Sequence, residues 1–429
     1  MQIYDWQQLT TTQQHTLLCR PVAKQTSLTT QVSAIIRQVA EQGDAALLAL
    51  TERYDGIRPE SLQVSAQTIA QAQQALPQQL IAAIDQAAAQ IRRFHAAQQA
   101  QDITLETLPG VRCELRHEPL ARVGLYIPGG SAPLISTVLM LGIPAQLAGC
   151  YQRMLMTPPP VPPAILYAAS QCGIEQIYAC GGAQAIAAMA LGTESVPQVD
   201  KIFGPGNAWV TEAKRQLSQS SQTCLSIDMP AGPSEVLVIA DATAKADFVA
   251  ADLLSQAEHG ADSQVLLITD SHTLAQNVAS EVNMQLAALP RRDITAKALA
   301  QSRIIFVQDM TQATDLANQY APEHLIIQTQ TPRALLPQLR GAGSIFLGPY
   351  TPESVGDYAS GTNHVLPTYG YARSVSSLSL ADFSRRYTVQ ELSYQGLSTL
   401  ADTVMTLAAA EQLDAHRNAV AIRLKGETL

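Results

Sequence analysis

The segment of residues 256–260, QAEHG, places a carboxamide, a carboxylate and an imidazole at the end of a helix-forming run. Apolar residues recur at helical spacing over residues 244–254, and apolar runs on both sides predict a strand–helix–strand unit. Gln256 and His259 are three positions apart, so on a helix they project from the same side, and Gly260 is a natural helix terminator. A histidine in the last helical turn is favoured by the helix dipole alone, so this pattern by itself also fits an ordinary polar helix end.

Two further segments of the second half of the chain carry acid–base groups. Glu323 and His324 stand where a helix gives way to a strand, and such a junction faces a sheet end, where α/β proteins bind ligands. Asp357 and His364 belong to a Gly- and Asx-rich stretch, residues 354–364, that follows a predicted strand. An ordinary solvated turn explains either segment equally well when it is taken alone.

The C-terminal tail adds Glu411 and His416, for which an exposed helical position is the simple interpretation. Taken together, these segments supply imidazole and carboxylate or carboxamide groups without a thiolate, a set that suits zinc or, less selectively, manganese or cobalt. No compact metal motif such as His-Glu-x-x-His is present, so spacing alone is a weak signal. The contributing residues are His259, His324, His364, His416, Gln256, Glu323, Asp357 and Glu411.

A nucleotide-binding turn is suggested by residues 204–209, GPGNAW. The segment begins like the dinucleotide fingerprint GxGxxG, but Trp209 occupies the position of the third glycine, so the fingerprint fails. A strand, a Gly-rich turn and a helix N-terminus still form a reasonable phosphate cradle. Residues 126–130 and 181–184 follow equivalent predicted strands, and three such turns in one region favour a ligand crevice over simple βα connections.

Composition excludes several classes of protein. The 429 residues are too many for one ordinary core, and 47% hydrophobic with 15% charged residues describes a well-buried globular protein. The net charge of −9, without a run of Lys or Arg, argues against nucleic-acid binding. Six cysteines without a CxxC pair fit a reducing compartment, and neither a signal peptide nor an apolar run of the length that a bilayer needs is visible. We therefore expect a cytoplasmic protein without membrane contact.

The middle and later parts of the chain alternate short apolar strands with helices, which predicts an α/β fold with two Rossmann-like domains. Each domain should have an incomplete, mostly parallel sheet, the second domain being inserted in the first, with small helical segments at both termini. The helical stretches of residues 30–97 have no sheet of their own, so we expect them to pack on the later sheet. The predicted strands are 123–127, 154–156, 174–179, 201–203, 236–240, 265–269, 304–307, 325–327 and 344–347.

The predicted domain boundaries follow from these shifts of pattern. Residues 1–22 form an N-terminal arm, and residues 23–122 with 233–375 form the first domain, which carries the metal and catalytic residues. Residues 123–232 form the second domain, on the nucleotide side. The tail of residues 376–429 reads as turns followed by two helices; because it cannot bury its apolar face alone, we expect it to dock on a partner subunit.

Six motifs, in this order and over nearly the full length, resemble the histidinol dehydrogenase family. They are YIPGG at 126–130, GPGN at 204–207, DMPAGPS at 228–234, QAEHG at 256–260, APEHL at 321–325 and GTNHVLP at 361–367. The resemblance implies an NAD-linked, zinc-dependent enzyme. Such an enzyme oxidises L-histidinol by four electrons, through L-histidinal, to L-histidine in the last step of histidine biosynthesis.

The resemblance also implies a role for each matching residue. Glu323 and His324 would be catalytic, and one zinc ion per subunit would be held by Gln256, His259, Asp357 and His416. The substrate would contact Ser234, Gln256, His259, His324, Asp357, His364, Glu411 and His416. NAD would contact Tyr126, Gln184 and Asn207.

The same resemblance implies a homodimer in which each C-terminal segment reaches the partner's site, so that His416 would act in trans. Three alternatives remain open on the residues alone. The chain could oxidise another amino alcohol, act as a zinc metallohydrolase with Glu323 as the base, or bind a metal or nucleotide as a sensor without turnover.

Overall fold

A computed structural model describes residues 1–20, 26–129, 133–229 and 232–425. The strands in these residues are β1 (Gln2–Asp5), β2 (Ile103–Leu108), β3 (Val111–Pro119), β4 (Arg122–Tyr126), β5 (Gln152–Thr157), β6 (Gln176–Ala179), β7 (Lys201–Phe203), β8 (Ser226–Ile227), β9 (Glu235–Ala240), β10 (Gln264–Thr269), β11 (Arg303–Phe306), β12 (His324–Gln328), β13 (Ser344–Leu347) and β14 (Ser384–Leu392). Their pairing gives two parallel sheets and one small antiparallel sheet.

Helices cover both parallel sheets. The helices are α1 (Thr11–Leu18), α2 (Thr26–Asp55), α3 (Ala66–Gln71), α4 (Gln78–Ala96), α5 (Ile135–Ala148), α6 (Pro163–Gln171), α7 (Gly182–Leu191), α8 (Ala208–Ser218), α9 (Ala246–Ala257), α10 (His272–Ala288), α11 (Arg292–Ala300), α12 (Met310–Tyr320), α13 (Glu353–Tyr358), α14 (Tyr394–Ala410) and α15 (Asp414–Leu424). None of the described helices is both long and apolar enough to cross a membrane.

The larger sheet has six parallel strands in the order β1-β11-β10-β9-β12-β13. All residues of the central strands β9, β10 and β12 are buried, as expected for parallel strands covered on both faces. Strand β1 comes from the start of the chain, where the sequence predicted only a packed arm, and it forms one edge of this sheet. The predicted break near residue 22 lies outside the described residues.

The second sheet has five parallel strands in the order β6-β5-β4-β7-β8. Its strands lie in the chain between β1 and β9, so the prediction of two Rossmann-like units, one inserted in the other, is confirmed. In this sheet the chain runs from β4 outward to β6 and then returns to the other side of β4 at β7. Such a reversal opens a crevice at the carboxyl ends of the strands.

The early helices lie on the inserted unit. Helix α2 packs against α7 and α8, and α4 packs against α5 and α6. The apolar residues of α2 and α4 share their cores with the five-stranded sheet. The prediction that these helices cover the later sheet is therefore wrong. A helical period shows that a helix has an apolar face, but it does not show which sheet that face meets.

The C-terminal tail contains the two predicted helices, α14 and α15, and a strand that the sequence analysis missed. Strand β14 pairs antiparallel with β3 over nine residues, and β3 pairs antiparallel with β2. Most of β14 is exposed, so it lacks the apolar pattern by which a strand is recognised. The tail thus docks in part on its own chain, while α15 packs against α14 and buries none of its residues.

Candidate active site

A cluster of polar side chains lies at the amino edge of the six-stranded sheet. Ser234 immediately precedes β9, while Glu323 precedes β12 and His324 is its first residue. Because β9 and β12 are parallel neighbours, with His324 in register with Val236, these residues start side by side. The Glu323-His324 pair was expected at a ligand-binding sheet end, but ligands of open α/β sheets usually bind at the carboxyl ends of the strands. Here the cluster occupies the opposite edge.

His324 is buried at the centre of the cluster. Its Nδ1 lies 3.1 Å from the backbone oxygen of Glu235. Its Nε2 lies 3.5 Å from Oδ1 of Asp357, and Oε2 of Glu323 lies 3.6 Å from Nδ1. Burial alone would lower the pKa of His324, but the Glu323 and Asp357 carboxylates outweigh it and hold that pKa well above its usual range.

The two acidic neighbours of His324 differ in their environments. Burial raises the pKa of Glu323, although His324 and the backbone N–H of Glu235, which donates to Oε2 at 2.8 Å, oppose the rise. Burial acts in the same direction on Asp357, but there the neighbouring imidazoles of His324, His364 and His259 together outweigh it and the pKa is lowered. The arrangement therefore favours an ionised Asp357 beside a Glu323 that takes up a proton more readily.

Two more imidazoles border Asp357. His364 donates from Nδ1 to the backbone oxygen of Asp357 at 2.9 Å, and its Nε2 lies 3.2 Å from Oγ1 of Thr137 on α5. His259 has Nδ1 3.2 Å from Oγ of Ser234. Desolvation is the largest influence on both rings and lowers the pKa of each, which favours neutral imidazoles. A neutral imidazole has one nitrogen free to accept a proton or bind a metal.

The helix end that carries Gln256 differs in detail from its prediction. Helix α9 ends at Ala257, so His259 lies beyond it. A 3.2 Å hydrogen bond from the backbone N–H of His259 to the backbone oxygen of Gln256 closes the tight turn there. Gly260 is not left-handed and so does not end the helix in the expected way. Gln256 itself is buried, with Nε2 3.2 Å from Nδ1 of His324.

A buried orphan oxygen indicates what the cluster can hold. Oε1 of Gln256 has no hydrogen-bond partner among the described residues, which is a costly arrangement for a fully buried amide unless a ligand completes it. With His259 and Asp357 it offers oxygen and imidazole donors that fit three positions of a zinc site. No group of three or more His, Cys, Asp or Glu in the described residues forms a metal site by itself. Only two of the predicted ligands in this cluster are of those types.

A cavity of about 720 Å³ opens at the carboxyl edge of the five-stranded sheet, where the chain reverses. Tyr126, Gln184 and Asn207 all line it, so the three predicted nucleotide contacts lie on one cavity. The hydroxyl of Tyr126 accepts from the backbone N–H of Gly182 at 3.0 Å, and burial raises the pKa of Tyr126 to about 12. Gly130, the last residue of the predicted turn 126–130, lies outside the described residues.

Hydrogen bonds to other parts of the chain fix the turn 204–207, so its backbone is not simply left open for a phosphate. The backbone N–H of Gly204 donates to Asp228 at 2.7 Å, and Lys214 forms a buried ion pair with the same carboxylate at 2.8 Å. Asn207 caps α8 by accepting from the backbone N–H groups of Trp209 and Val210. These hydrogen bonds give the GPGN motif and Asp228 a structural role. Pro230 and Ala231 of the motif DMPAGPS lie outside the described residues.

Helix α5 connects the cavity with the cluster. Pro133 and Leu134, just before this helix, line the cavity, and Thr137 in its first turn contacts His364. The amide of Asn363 also donates to the backbone oxygen of Met140 in α5, at 2.7 Å. The acid–base groups of one sheet thus lie beside the ligand crevice of the other.

The comparisons with known proteins agree with this geometry. A sequence profile of the histidinol dehydrogenase family matches residues 18–424. The chain belongs to the histidinol dehydrogenase family. The histidinol dehydrogenase of Shewanella oneidensis is 60% identical over 433 residues, 99% of each chain, and that of Vibrio parahaemolyticus is 59% identical over 98% and 97% of the two chains. The crystal structure of histidinol dehydrogenase from Elizabethkingia anophelis matches with a TM-score of 0.95 and 46% identity, over 99% of this chain and 98% of that one.

Membership of the histidinol dehydrogenase family confirms the resemblance and makes the chain an oxidoreductase. The structure brings together six of the eight predicted substrate contacts. The other two, Glu411 and His416, are exposed on the tail and form no hydrogen bond with the cluster among the described residues. Their role in the site of a second subunit stays a prediction.

The sequence analysis missed two acidic residues of this histidinol dehydrogenase cluster. Glu353 lies one helical turn before Asp357 on α13, immediately before the segment 354–364 that was interpreted as a loop. It is 1% exposed, accepts from Oγ of Ser255 at 3.1 Å, and burial raises its pKa to about 8. The i, i+4 spacing from Asp357 was the available signal. Glu235 was not predicted because it directly precedes the apolar residues of strand β9.

Proposed function

We propose that this chain catalyses the NAD- and zinc-dependent oxidation of L-histidinol, through L-histidinal, to L-histidine, the last step of histidine biosynthesis in the cytoplasm. The observation that carries the proposal is the buried His324 between Glu323 and Asp357, beside a crevice at the carboxyl edge of a parallel sheet. Family membership supports the substrate, because the relatives in the comparisons are named for histidinol.

Three residues of the cluster fit a zinc ion: the orphaned amide oxygen of Gln256, the neutral imidazole of His259 and the ionised carboxylate of Asp357. A fourth ligand, His416, would come from a second copy of the chain, in keeping with its exposure on the tail. When bound, zinc supplies a redox-inert Lewis acid that anchors the imidazole and amine of histidinol. The remaining substrate contacts would come from Ser234, His324, His364 and Glu411.

His324 is the proposed acceptor of the carbinol proton as the hydride leaves. Its Nε2 is the nitrogen that faces Asp357, 3.5 Å from Oδ1, and it has no hydrogen-bond partner among the described residues. The flanking carboxylates raise the pKa of this ring despite its burial, so they would stabilise the imidazolium that forms when it takes the carbinol proton. During hydration the imidazolium of His324 would return its proton to the aldehyde oxygen, so the neutral ring could take the proton of the hydrated aldehyde in the second oxidation.

Glu323 is the proposed base for the water that hydrates the aldehyde. Its Oε2 is fixed by the backbone N–H of Glu235, and its burial-raised pKa suits proton uptake. The cavity bounded by Tyr126, Gln184 and Asn207 would hold NAD, which accepts the hydride in both oxidations. The order of events requires water only after the first hydride transfer, so the two residues have separable roles.

Glu323→Gln tests this assignment. The variant should impair oxidation of histidinal more than oxidation of histidinol, because only the aldehyde needs an activated water. NADH absorbance in stopped-flow experiments with each substrate measures the two half-reactions. Glu258→Gln removes an equal charge from the neighbouring turn and should leave both near wild type. Equal losses in the two half-reactions would contradict the role of Glu323, and no NADH from wild-type enzyme with histidinol and zinc would overturn the proposed function.

A further inference from the structure

Asp55, the last residue of α2, contributes a carboxylate to the wall of the cavity that contains Tyr126 and Gln184. Its Oδ2 is buried and has no hydrogen-bond partner among the described residues. An unpaired buried carboxylate oxygen costs free energy, and native proteins rarely keep one without a ligand or water to satisfy it. Asp55 has no part in the function proposed above.

One charged side chain, that of Asp55, lines the described part of the cavity, and the guanidinium of Arg53 lies 5.3 Å from the ring centre of Tyr54 in the same wall. Among the described lining residues Asp55 is the only side chain with a formal charge at neutral pH, and neither Lys nor Arg is present. The rest of the wall is aliphatic, aromatic, proline-rich or neutral and polar. Burial raises the pKa of Asp55, and its charge in turn contributes to the raised pKa of Tyr126, so the two side chains are close enough to interact through the cavity.

Asp55 also stands in for an acidic residue that dinucleotide-binding sheets usually carry after their second strand. In dinucleotide-binding sheets an acidic residue that follows the second strand accepts from the ribose hydroxyls. The second strand of this sheet, β5, ends at Thr157, and the chain continues through Pro158, Pro159 and Pro160, which all line the cavity. No acid follows β5, so the cavity receives its carboxylate from α2, outside the sheet.

We propose that Asp55 accepts hydrogen bonds from the ribose hydroxyls of the bound dinucleotide and makes the site select NAD over NADP. Ribose hydroxyls are donors, so they suit the carboxylate of Asp55. A 2′-phosphate would instead bring a second negative group beside Asp55 with no cation in the described wall to offset it, which is a repulsive element of specificity. The inference rests on the proposed function in one respect, that this cavity is where the nucleotide binds.

Equilibrium binding tests the inference without relying on turnover. Trp209 lines the cavity and the only other tryptophan, Trp6, is buried against the six-stranded sheet, so Trp6→Phe leaves a single reporter at the site. Quenching of its fluorescence by NADH and by NADPH gives both dissociation constants. In this background Asp55→Ala should weaken NADH binding about 10- to 100-fold, the expected loss of hydrogen bonds to a charged group.

Asp55→Asn separates charge from shape. It keeps an acceptor oxygen but removes the charge, so it should bind NADPH more tightly than wild type and reduce the preference for NADH at least about tenfold. Glu52→Gln, one turn earlier on α2 and outside the cavity wall, is the matched control and should change neither constant. Wild-type enzyme that binds NADH, with an unchanged NADH-to-NADPH ratio in both Asp55 variants, would overturn the inference alone. Absence of NADH binding at this cavity in wild type would overturn both the inference and the proposed nucleotide site.

Discussion

Replacement of Arg20 by Met should expose how much the site depends on one buried ion pair. Arg20 binds the Glu235 carboxylate through two hydrogen bonds, of 2.5 and 2.9 Å, and stacks its guanidinium 3.9 Å from the ring centre of Tyr320. The side chain of Glu235 is 3% exposed. The main chain of Glu235 in turn holds Glu323 through its N–H and His324 through its oxygen. The pair therefore links the start of the chain to both proposed catalytic residues.

The expected cost follows from what Arg20→Met leaves behind. Glu235 keeps the backbone N–H of Tyr369 as a donor at 3.0 Å but loses the one ion-pair partner that it has among the described residues. The backbone oxygens of Tyr320 and Ala321 lose the donor that Arg20 supplied. Removing one partner of a buried pair costs about 3–5 kcal/mol, because an uncompensated charge stays in the interior. We expect the free energy of unfolding to fall by this amount. The turnover number should fall as well, measured well below the unfolding transition.

Urea denaturation at one fixed protein concentration measures the change, since the stability of the proposed dimer would depend on concentration. Adding Glu235→Gln to the variant removes the unpaired charge and keeps an acceptor for Tyr369, so the double variant should recover at least about half of the loss. Arg58→Met, which removes only the exposed pair with Glu52, should cost under about 1 kcal/mol. An Arg20→Met protein within about 1 kcal/mol of wild type, or strictly additive effects in the double variant, would refute the reasoning.

Three other perturbations test separate parts of the structure. Gln256→Leu should keep the fold, by circular dichroism, but reduce bound zinc and raise the KM for histidinol together; full zinc content by elemental analysis would exclude Gln256 as a ligand. Asp252 is buried, accepts a hydrogen bond from the side-chain amide of Gln328, and has no ion-pair partner among the described residues. Burial raises its pKa from 3.8 to about 7. Since the folded state holds the extra proton, wild-type stability should fall as pH rises from about 4 to 7, by up to about 4 kcal/mol, and urea titrations of Asp252→Asn should lack that fall. Mixing inactive His416→Asn and His324→Asn dimers should restore some activity if the tail completes the partner's site, and proven subunit exchange without recovery would show that one chain builds the whole site.

The sequence predicted nine of the eleven parallel strands because each is a short apolar run bounded by turn residues. It missed β1 and β8, which lie at sheet edges and are only partly buried, so their composition is not that of a core strand. Strand β14 was missed for the same reason in a stronger form, since eight of its nine residues are exposed. An apolar sequence pattern therefore indicates that a strand is buried, but it does not indicate which exposed segments form strands by hydrogen bonding.

The site divides along a similar line. The motifs around His259, His324 and His364 indicated which local segments carry chemistry, and the structure brings those segments together. Glu353 was overlooked because an acidic residue before a Gly-rich segment has the composition of a solvated turn, although its side chain is buried. Asp55 was overlooked because its helix was expected on the other sheet. Both errors concern long-range packing, which local spacing does not encode.

The cavity and the polar cluster lie at opposite kinds of sheet edge, and this explains why the rule for open parallel sheets predicts the cavity but not the cluster. The cavity obeys the rule for open parallel sheets, since it lies at the carboxyl edge where the strand order reverses around β4. The cluster lies at the amino edge of the other sheet, where that rule predicts nothing. Helix α5 leaves the carboxyl edge of β4 and packs Thr137 against His364, so the inserted unit supplies one wall of a site whose acid–base groups belong to the surrounding unit. Through α5, the inserted unit therefore places the carboxyl edge of its sheet, with the cavity, beside the amino edge that carries the polar cluster.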